Sequence, residues 1–263
     1  PLEFYQQIPK VELHRHLEGS LRLSTMVELA RKYGFTLPKT AQLRPLVQVQ
    51  KEEPYTFRNF LSKFDTLRLF YRSPEIIRRI AIEAIADAAA DHIQYLELRF
   101  TPVALGRAQS FPLDEVMDWI CDAAAEAQKE NPIQVRLIAS VNRHESPDLA
   151  EKVADLAIQR MGRGICGMDL AGNEVEFPAK PFASIFRNAK SNGLKLTIHA
   201  GEWAGPENIR EAIEVLGADR IGHGVRVLEN RHVVALAVDH GTAFEVCPTS
   251  NFQTGAIEEL HAH

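Results

Sequence analysis

Histidine and glutamate side chains that can bind a metal ion or transfer a proton occur at three separate places in the sequence. His14 and His16 stand two residues apart, Glu202 follows His199 by three residues, and His223 lies farther along. Residues i and i+2 of a β-strand face the same side, so His14 and His16 could share one ion. These residue types predict metal-assisted hydrolysis.

The His-x-His spacing carries little information alone, because the chain has ten histidines and a second copy occurs at residues 261–263. We interpret that copy as accidental, since it lies in no predicted strand. His14 and His16 instead end a predicted strand, His199 ends another, and His223 follows a third. In a parallel barrel the carboxyl ends of all strands open on one face, so these groups can converge.

A set of neutral imidazoles suits Zn²⁺, and a catalytic zinc keeps one position for a water molecule whose pKa falls to about 7. Glu202 is then the predicted proton donor. Gly201 permits a tight turn that brings this carboxyl beside the ion, and burial would raise the pKa of the carboxyl. His223 could either orient the water or accept its proton.

Alternating strand and helix patterns position these residues. Five helical patterns separate short apolar runs that predict strands, without any low-complexity linker, and this alternation favours successive βα units in one parallel barrel or doubly wound sheet. The predicted strands are Lys10–Leu17, Ile93–Phe100, Ile133–Val141, Gly164–Leu170, Leu194–His199, Arg220–Gly222 and Thr242–Cys247. A closed barrel needs eight strands, and this count reaches seven.

The long gap after the first strand predicts a helical insertion at about residues 21–92, which we expect to fold over one end of the sheet as a lid. Within it, Phe57, Phe60, Leu61 and Phe64 share one helical face. The periodicity by itself predicts that this face packs in the core, whereas the family resemblance given below implies that it covers a substrate pocket. We predict one domain over residues 1–263, with the insertion inside it.

Composition excludes several classes of protein. The 263 residues are 45% hydrophobic and 25% charged, with a net charge of −5, which is typical of a globular chain and unlike a nucleic-acid-binding protein. We therefore expect no nucleic-acid partner. The sequence has no apolar run of membrane-spanning length and no secretory signal pattern, and its three scattered cysteines predict reduced thiols. We expect a cytoplasmic protein without a membrane partner.

The motifs around these residues resemble those of the metal-dependent adenosine deaminases, especially the bacterial ones. The resemblance extends from about Lys10 to the last residue, and several motifs in one order are far more specific than any single motif. The segments that carry it are Lys10–Ser20, Asp169–Glu174, Thr197–Glu202, Gly205–Glu207, Arg220–Gly224 and Cys247–Asn251.

The resemblance implies a (β/α)₈ TIM barrel that removes the 6-amino group of adenosine or 2′-deoxyadenosine by hydrolysis, giving inosine or 2′-deoxyinosine and ammonia in purine salvage. It also implies one Zn²⁺ per subunit with His14, His16 and His199 as ligands. By the same resemblance, Glu202 protonates purine N1 and His223 lies beside the attacking hydroxide. The expected partner is a small purine nucleoside.

Three further positions are implied to bind the substrate. His16 matches a residue that contacts the substrate in addition to binding the metal. Gly172 matches a position whose backbone N–H meets purine N3. Glu18 matches a position that binds the sugar. A simple turn after the fourth strand would also explain Gly172. Glu18 stands where the family commonly has Asp, so its carboxyl is one methylene farther from the backbone, which could shift substrate preference.

The family also supplies an Asp-Asp pair after strand eight, which provides a fourth zinc ligand and a purine contact. No aspartate follows Asp239 in this sequence. We therefore expect a barrel without its last βα unit, and a native protein that continues for several tens of residues. Two alternatives remain open: a deaminase of another 6-aminopurine, such as adenine or aminodeoxyfutalosine, and a truncated, non-catalytic zinc-binding relative.

Overall fold

Residues 2–34 and 40–263 are described in this computed structural model. The chain forms two compact units, Pro1–Arg136 and Leu137–His263. Among the described residues, no helix combines the length and the apolar composition needed to cross a membrane.

Seven strands form one sheet in which neighbours follow chain order, from β1 to β7. They span Lys10–His16, Ile93–Phe100, Gln134–Asn142, Ile165–Ala171, Lys195–Ala200, Arg220–His223 and Ala243–Glu245. Parallel strands in chain order with helices between them are the topology of a βα barrel. The predicted fold class, a barrel that lacks its last βα unit, is therefore confirmed. The last strand is three residues long, shorter than predicted.

The helices α1 to α12 span Leu2–Gln7, Leu23–Lys32, Thr40–Val47, Phe57–Leu67, Pro74–Ala90, Pro102–Gly106, Leu113–Glu130, Pro147–Gln159, Ala183–Ser191, Pro206–Glu211, Arg231–Asp239 and Pro248–Gln253. The α10 helix continues into a π-helical turn over Ala212–Leu216. The sequence patterns predicted α5, α7, α8, α10 and α11, and did not predict α9.

In the first unit, the α5 helix shows why these segments are helical. Ser73 accepts the backbone N–H of Ile76, and Pro74 occupies the first turn, where its missing N–H costs nothing. Ile77, Ile80 and other apolar residues on one face are buried, and α5 packs against α7. The predicted insertion consists of helices α2 to α5, and its residues 35–39 lie outside the described residues.

The α4 helix of the insertion carries the predicted phenylalanine face. Thr56 caps this helix by accepting the N–H of Asn59 at 3.2 Å. Phe60 and Phe64 meet edge to face with ring centroids 5.8 Å apart, and both are only half-buried, as are Phe57 and Leu61. An apolar face that stays partly accessible differs from the fully buried face expected for a core helix.

In the second unit, strands β4 to β7 alternate with helices α9 to α11, and α12 follows β7. The β4 and β5 strands are almost wholly buried, which matches their near-continuous apolar sequence. Polar residues within or directly after such strands must therefore be satisfied by specific partners. These residues form the site described next.

Candidate active site

At the end of β1, the rings of His14 and His16 lie edge to face with centroids 5.3 Å apart. The pairing of β1 with β2 shifts register between Glu12 and Arg15, so β1 has an irregularity at His14. Arg99 of β2 donates from Nη2 to the Leu13 carbonyl at 2.7 Å. This contact supports the backbone just before the first histidine.

Glu18 follows β1 and is 4% exposed. Its Oε1 accepts the backbone N–H of Thr101 at 2.5 Å, and the Tyr71 hydroxyl donates to the Glu18 carbonyl at 3.1 Å. Burial raises the pKa of the Glu18 carboxyl, and the hydrogen bond from Thr101 opposes that shift. The side chain predicted to meet the sugar therefore also joins the turn after β1 to the end of β2.

In the second unit, His199 at the end of β5 is oriented by Asp169 of β4. The distance between His199 Nδ1 and Asp169 Oδ1 is 2.8 Å, and Ser140 Oγ donates to Asp169 Oδ2 at 3.0 Å. Because a carboxylate only accepts, His199 Nδ1 is the donor, and in the neutral ring the lone pair is on Nε2. This is the arrangement of a metal-binding imidazole with a carboxylate behind it.

The chain turns sharply after β5 at Gly201, where φ is +66°. A Cβ at this position would lie 2.4 Å from Ile209 Cδ1, so a larger residue would meet both backbone strain and a side chain. The turn is joined to the next one, since Gly224 N–H donates to the Ala200 carbonyl at 3.1 Å. Glu202 lies directly after this glycine.

The Glu202 carboxyl is 4% exposed and lies among polar groups. Asn251 Nδ2 and Thr254 Oγ1 donate to its Oε1 at 3.2 Å and 3.3 Å. Burial and the nearby charge of Glu174 raise the pKa of Glu202 to about 8, against the lowering effect of these hydrogen bonds. Glu202 is therefore protonated at neutral pH, as a proton donor must be.

His223 ends β6 with φ at +66°, a strained conformation for a residue other than glycine. Its ring centroid is 5.2 Å from that of His199, and its Nε2 is 3.4 Å from Glu202 Oε2. Asn251 Nδ2 lies 3.0 Å from His223 Nδ1. Because the amide nitrogen donates, Nδ1 accepts, and the proton of the neutral ring is on Nε2.

The predicted site residues divide between the two units. His14, His16 and Glu18 lie in the first unit, and Gly172, His199, Glu202 and His223 lie in the second. The structure brings His199, Glu202 and His223 together. Gly172 follows β4 with φ at +97°, which explains a glycine at this turn.

Sequence reasoning assigned no role to Asp169, Glu174 or Asn251. An aspartate within the apolar β4 strand was a signal that a buried partner exists, because an isolated charge is costly in a core. Glu174 and Asn251 had no such signal. Their partners lie on other elements and become visible only in the folded chain.

Each unit by itself carries imidazoles that suit a zinc ion by their chemistry. In the second unit, His199 is held by Asp169 in the orientation that leaves Nε2 available to a metal. The two histidines of β1 stand beside each other at the end of one strand. Histidine nitrogens are ligands that zinc prefers.

Comparison with known proteins identifies the family of the chain. The sequence model of the family described as Adenosine deaminase matches residues 9–263. An adenosine deaminase from Erwinia tasmaniensis is 39% identical over 259 residues, which cover 98% of this chain and 77% of the relative.

Solved structures show the same fold. Adenine deaminase from Arthrobacter aurescens matches with a TM-score of 0.86 and 28% identity, covering 97% of this chain and 76% of that chain. A Zn-bound amidohydrolase from Burkholderia ambifaria matches with a TM-score of 0.86 and 29% identity, covering 96% of this chain and 69% of that chain. With a family match over nearly its whole length and a relative at 39% identity, this chain belongs to the adenosine deaminase family.

Proposed function

We propose that this protein hydrolyses the 6-amino group of adenosine and 2′-deoxyadenosine, releasing ammonia and the corresponding inosine. The observation that carries the proposal is Glu202, a buried carboxyl with a pKa raised to about 8, beside His223. Such a group can protonate a weakly basic ring nitrogen at neutral pH. The greater identity to an adenosine deaminase, 39%, than to an adenine deaminase, 28%, favours the nucleoside as substrate.

We further propose that His14, His16 and His199 hold one zinc ion per subunit. The carboxylate behind His199 and the pairing of His14 with His16 support this assignment. When bound, zinc supplies Lewis acidity that makes a water molecule nucleophilic near neutral pH.

In the proposed reaction, Glu202 donates its proton to purine N1, which makes C6 electrophilic. Water adds its oxygen to C6, and the C6–N6 bond then breaks. One water proton returns to Glu202 and the other leaves with the amino group as ammonia. His223, with its proton on Nε2, orients the attacking oxygen by donation, and of the two roles open from the sequence this tautomer favours orientation.

Substrate contacts complete the proposal. Glu18 binds a sugar hydroxyl, the Gly172 N–H meets purine N3, and His16 contacts the substrate beside its metal role. The burial of Glu18 supports a specific contact over solvation. A lid role is proposed for the α4 helix, because its phenylalanine face stays half-buried.

A cytoplasmic location is proposed because the cysteines are free thiols. Cys121, Cys166 and Cys247 all lie in the described residues and form no disulfide there. Thiols in the reduced state are typical of the cytosol. Cell fractionation would test this assignment.

The decisive experiment follows adenosine loss by ultraviolet absorbance with the purified protein and with Glu202→Gln. We expect the variant to lose activity by about 100-fold or more while its zinc content is unchanged. Glu151→Gln, at an exposed glutamate of α8, is the matched control and should act like wild type. Undiminished turnover in Glu202→Gln would reject the proposed acid, and turnover of adenine without adenosine would reject the nucleoside.

A further inference from the structure

Glu174, in the loop after β4, is a buried carboxylate with an unusual number of backbone partners. It is 5% exposed. Its two oxygens accept the N–H groups of four consecutive residues, at 2.8, 2.7, 2.7 and 3.0 Å, and the side-chain amide of Asn208 at 3.0 Å. The four residues are Gly201, Glu202, Trp203 and Ala204.

These four residues form the turn that follows β5. Consecutive N–H groups that point to one side of a turn make a concavity for an anion. In this protein the anion is a side chain of the same chain. An apolar residue at position 174 would leave these N–H groups buried without an acceptor, which is costly for each group.

The strand end that leads into this turn is held by Arg143. Arg143 Nη2 donates to the His199 carbonyl at 2.6 Å, and its Nη1 donates to the Phe177 carbonyl at 3.3 Å. The loop that carries Glu174 has its own support, since Asn173 Oδ1 accepts the N–H of Val175 at 3.0 Å. A buried cation thus holds the end of β5, and the Glu174 carboxylate holds the N–H groups of the turn that follows.

We propose that Glu174 is a positioning residue for the deamination reaction, which fixes the backbone of residues 201–204 and so aims the Glu202 carboxyl at the substrate. The inference rests on the proposed function of Glu202 and adds the element that holds this residue in place. Glu174 reaches Glu202 through its backbone and does not itself touch the reacting atoms.

The charge of Glu174 has a second effect. After burial, it is the next cause that raises the pKa of Glu202. The other groups facing this carboxyl are His223, Asn251, Thr254 and the Trp203 side chain. Arg226 donates to the Glu202 carbonyl at 3.3 Å. Removing the charge at position 174 therefore lowers the pKa of Glu202, which gives the test a readout beyond stability.

The test compares Glu174→Gln, Glu174→Asp and the control Glu176→Gln, which changes an exposed glutamate in the same loop. For Glu174→Gln we expect kcat at pH 7 to fall at least about tenfold with little change in KM, because a misplaced acid slows chemistry more than binding. In the pH profile of kcat, the decline at high pH should begin at a lower pH, because the pKa of Glu202 is lowered. Glu174→Asp keeps the charge and should keep this decline near its wild-type pH, while kcat stays low because the shorter side chain cannot reach all four N–H groups.

A second measurement separates this inference from the proposed function. The pKa of Glu202 is also obtained from the pH dependence of unfolding, by comparing each Glu174 variant with and without Glu202→Gln, so it needs no turnover. A lowered pKa in Glu174→Gln by this route supports the inference even if adenosine is not the substrate. An unchanged pKa, or a kcat for Glu174→Gln equal to that of Glu176→Gln, would overturn it. A variant that only loses folded fraction, with normal kcat per folded molecule, would also overturn it.

Discussion

Asn251 Nδ2 lies 3.2 Å from Glu202 Oε1, so the α12 helix after β7 holds the acid that follows β5. The same amide nitrogen donates to His223 Nδ1 at 3.0 Å. One buried amide thereby sets the position of the proposed proton donor and the tautomer of the neighbouring histidine.

Replacing Asn251 with Ala should lower kcat by about 100-fold, because Glu202 and His223 both lose the donor that orients them. The pKa of Glu202 should rise, since a hydrogen bond that favours its ionised form is removed. Steady-state kinetics across pH would measure both effects. Asn192→Ala, at an exposed asparagine, is the control and should leave kcat unchanged.

The raised pKa of Glu202 predicts how stability depends on pH. The group has a pKa of about 8 when folded and 4.5 as its ordinary value, so the folded protein binds this proton more tightly. The contribution of this group to the free energy of unfolding is fully present below pH 4.5 and is lost as pH rises through 8. At about 1.4 kcal/mol per pKa unit, its upper bound is about 5 kcal/mol. The stability of wild type relative to Glu202→Gln should therefore fall between pH 5 and pH 8 in denaturant unfolding. A constant difference would contradict a raised pKa.

Replacing Asp169 with Asn should weaken zinc binding by about 10- to 100-fold, because the charge behind His199 is lost. Competition with a chromophoric chelator would measure the affinity. Ser140→Ala removes only the hydroxyl that donates to Asp169 and should have a smaller effect in the same direction. Equal zinc affinity in wild type and Asp169→Asn would mean that this pair does not support a metal ligand.

Gly201→Ala should destabilise the fold by more than Gly241→Ala. Both glycines have positive φ, +66° and +61°, so both variants incur backbone strain of about 1 kcal/mol. Only at Gly201 would the new Cβ also meet a side chain, Ile209, whereas nothing lies within 4 Å at Gly241. Urea unfolding of the two variants separates the contact from the strain, and equal losses would show that the Ile209 contact has no cost.

The strands and the chemistry-bearing residues were predictable because their signals are local. Apolar runs of strand length placed β1 to β6 within about two residues, since burial in a parallel sheet needs continuous apolar sequence. His199 and Glu202 were recognisable as candidates because each stands at or directly after such a run. The α9 helix, Ala183–Ser191, was not predicted because it begins without a side-chain cap, so no local signal marked its start.

The sequence by itself determined which side chains are available for chemistry and which strand ends they occupy. Only the tertiary structure decided their chemical states. The proton of His199 is placed by Asp169, 30 residues away, and Glu202 receives its hydrogen bonds from α12 and its turn from Glu174. Hydrogen bonding and desolvation depend on distances of a few ångströms in space, and separation along the chain does not encode these distances.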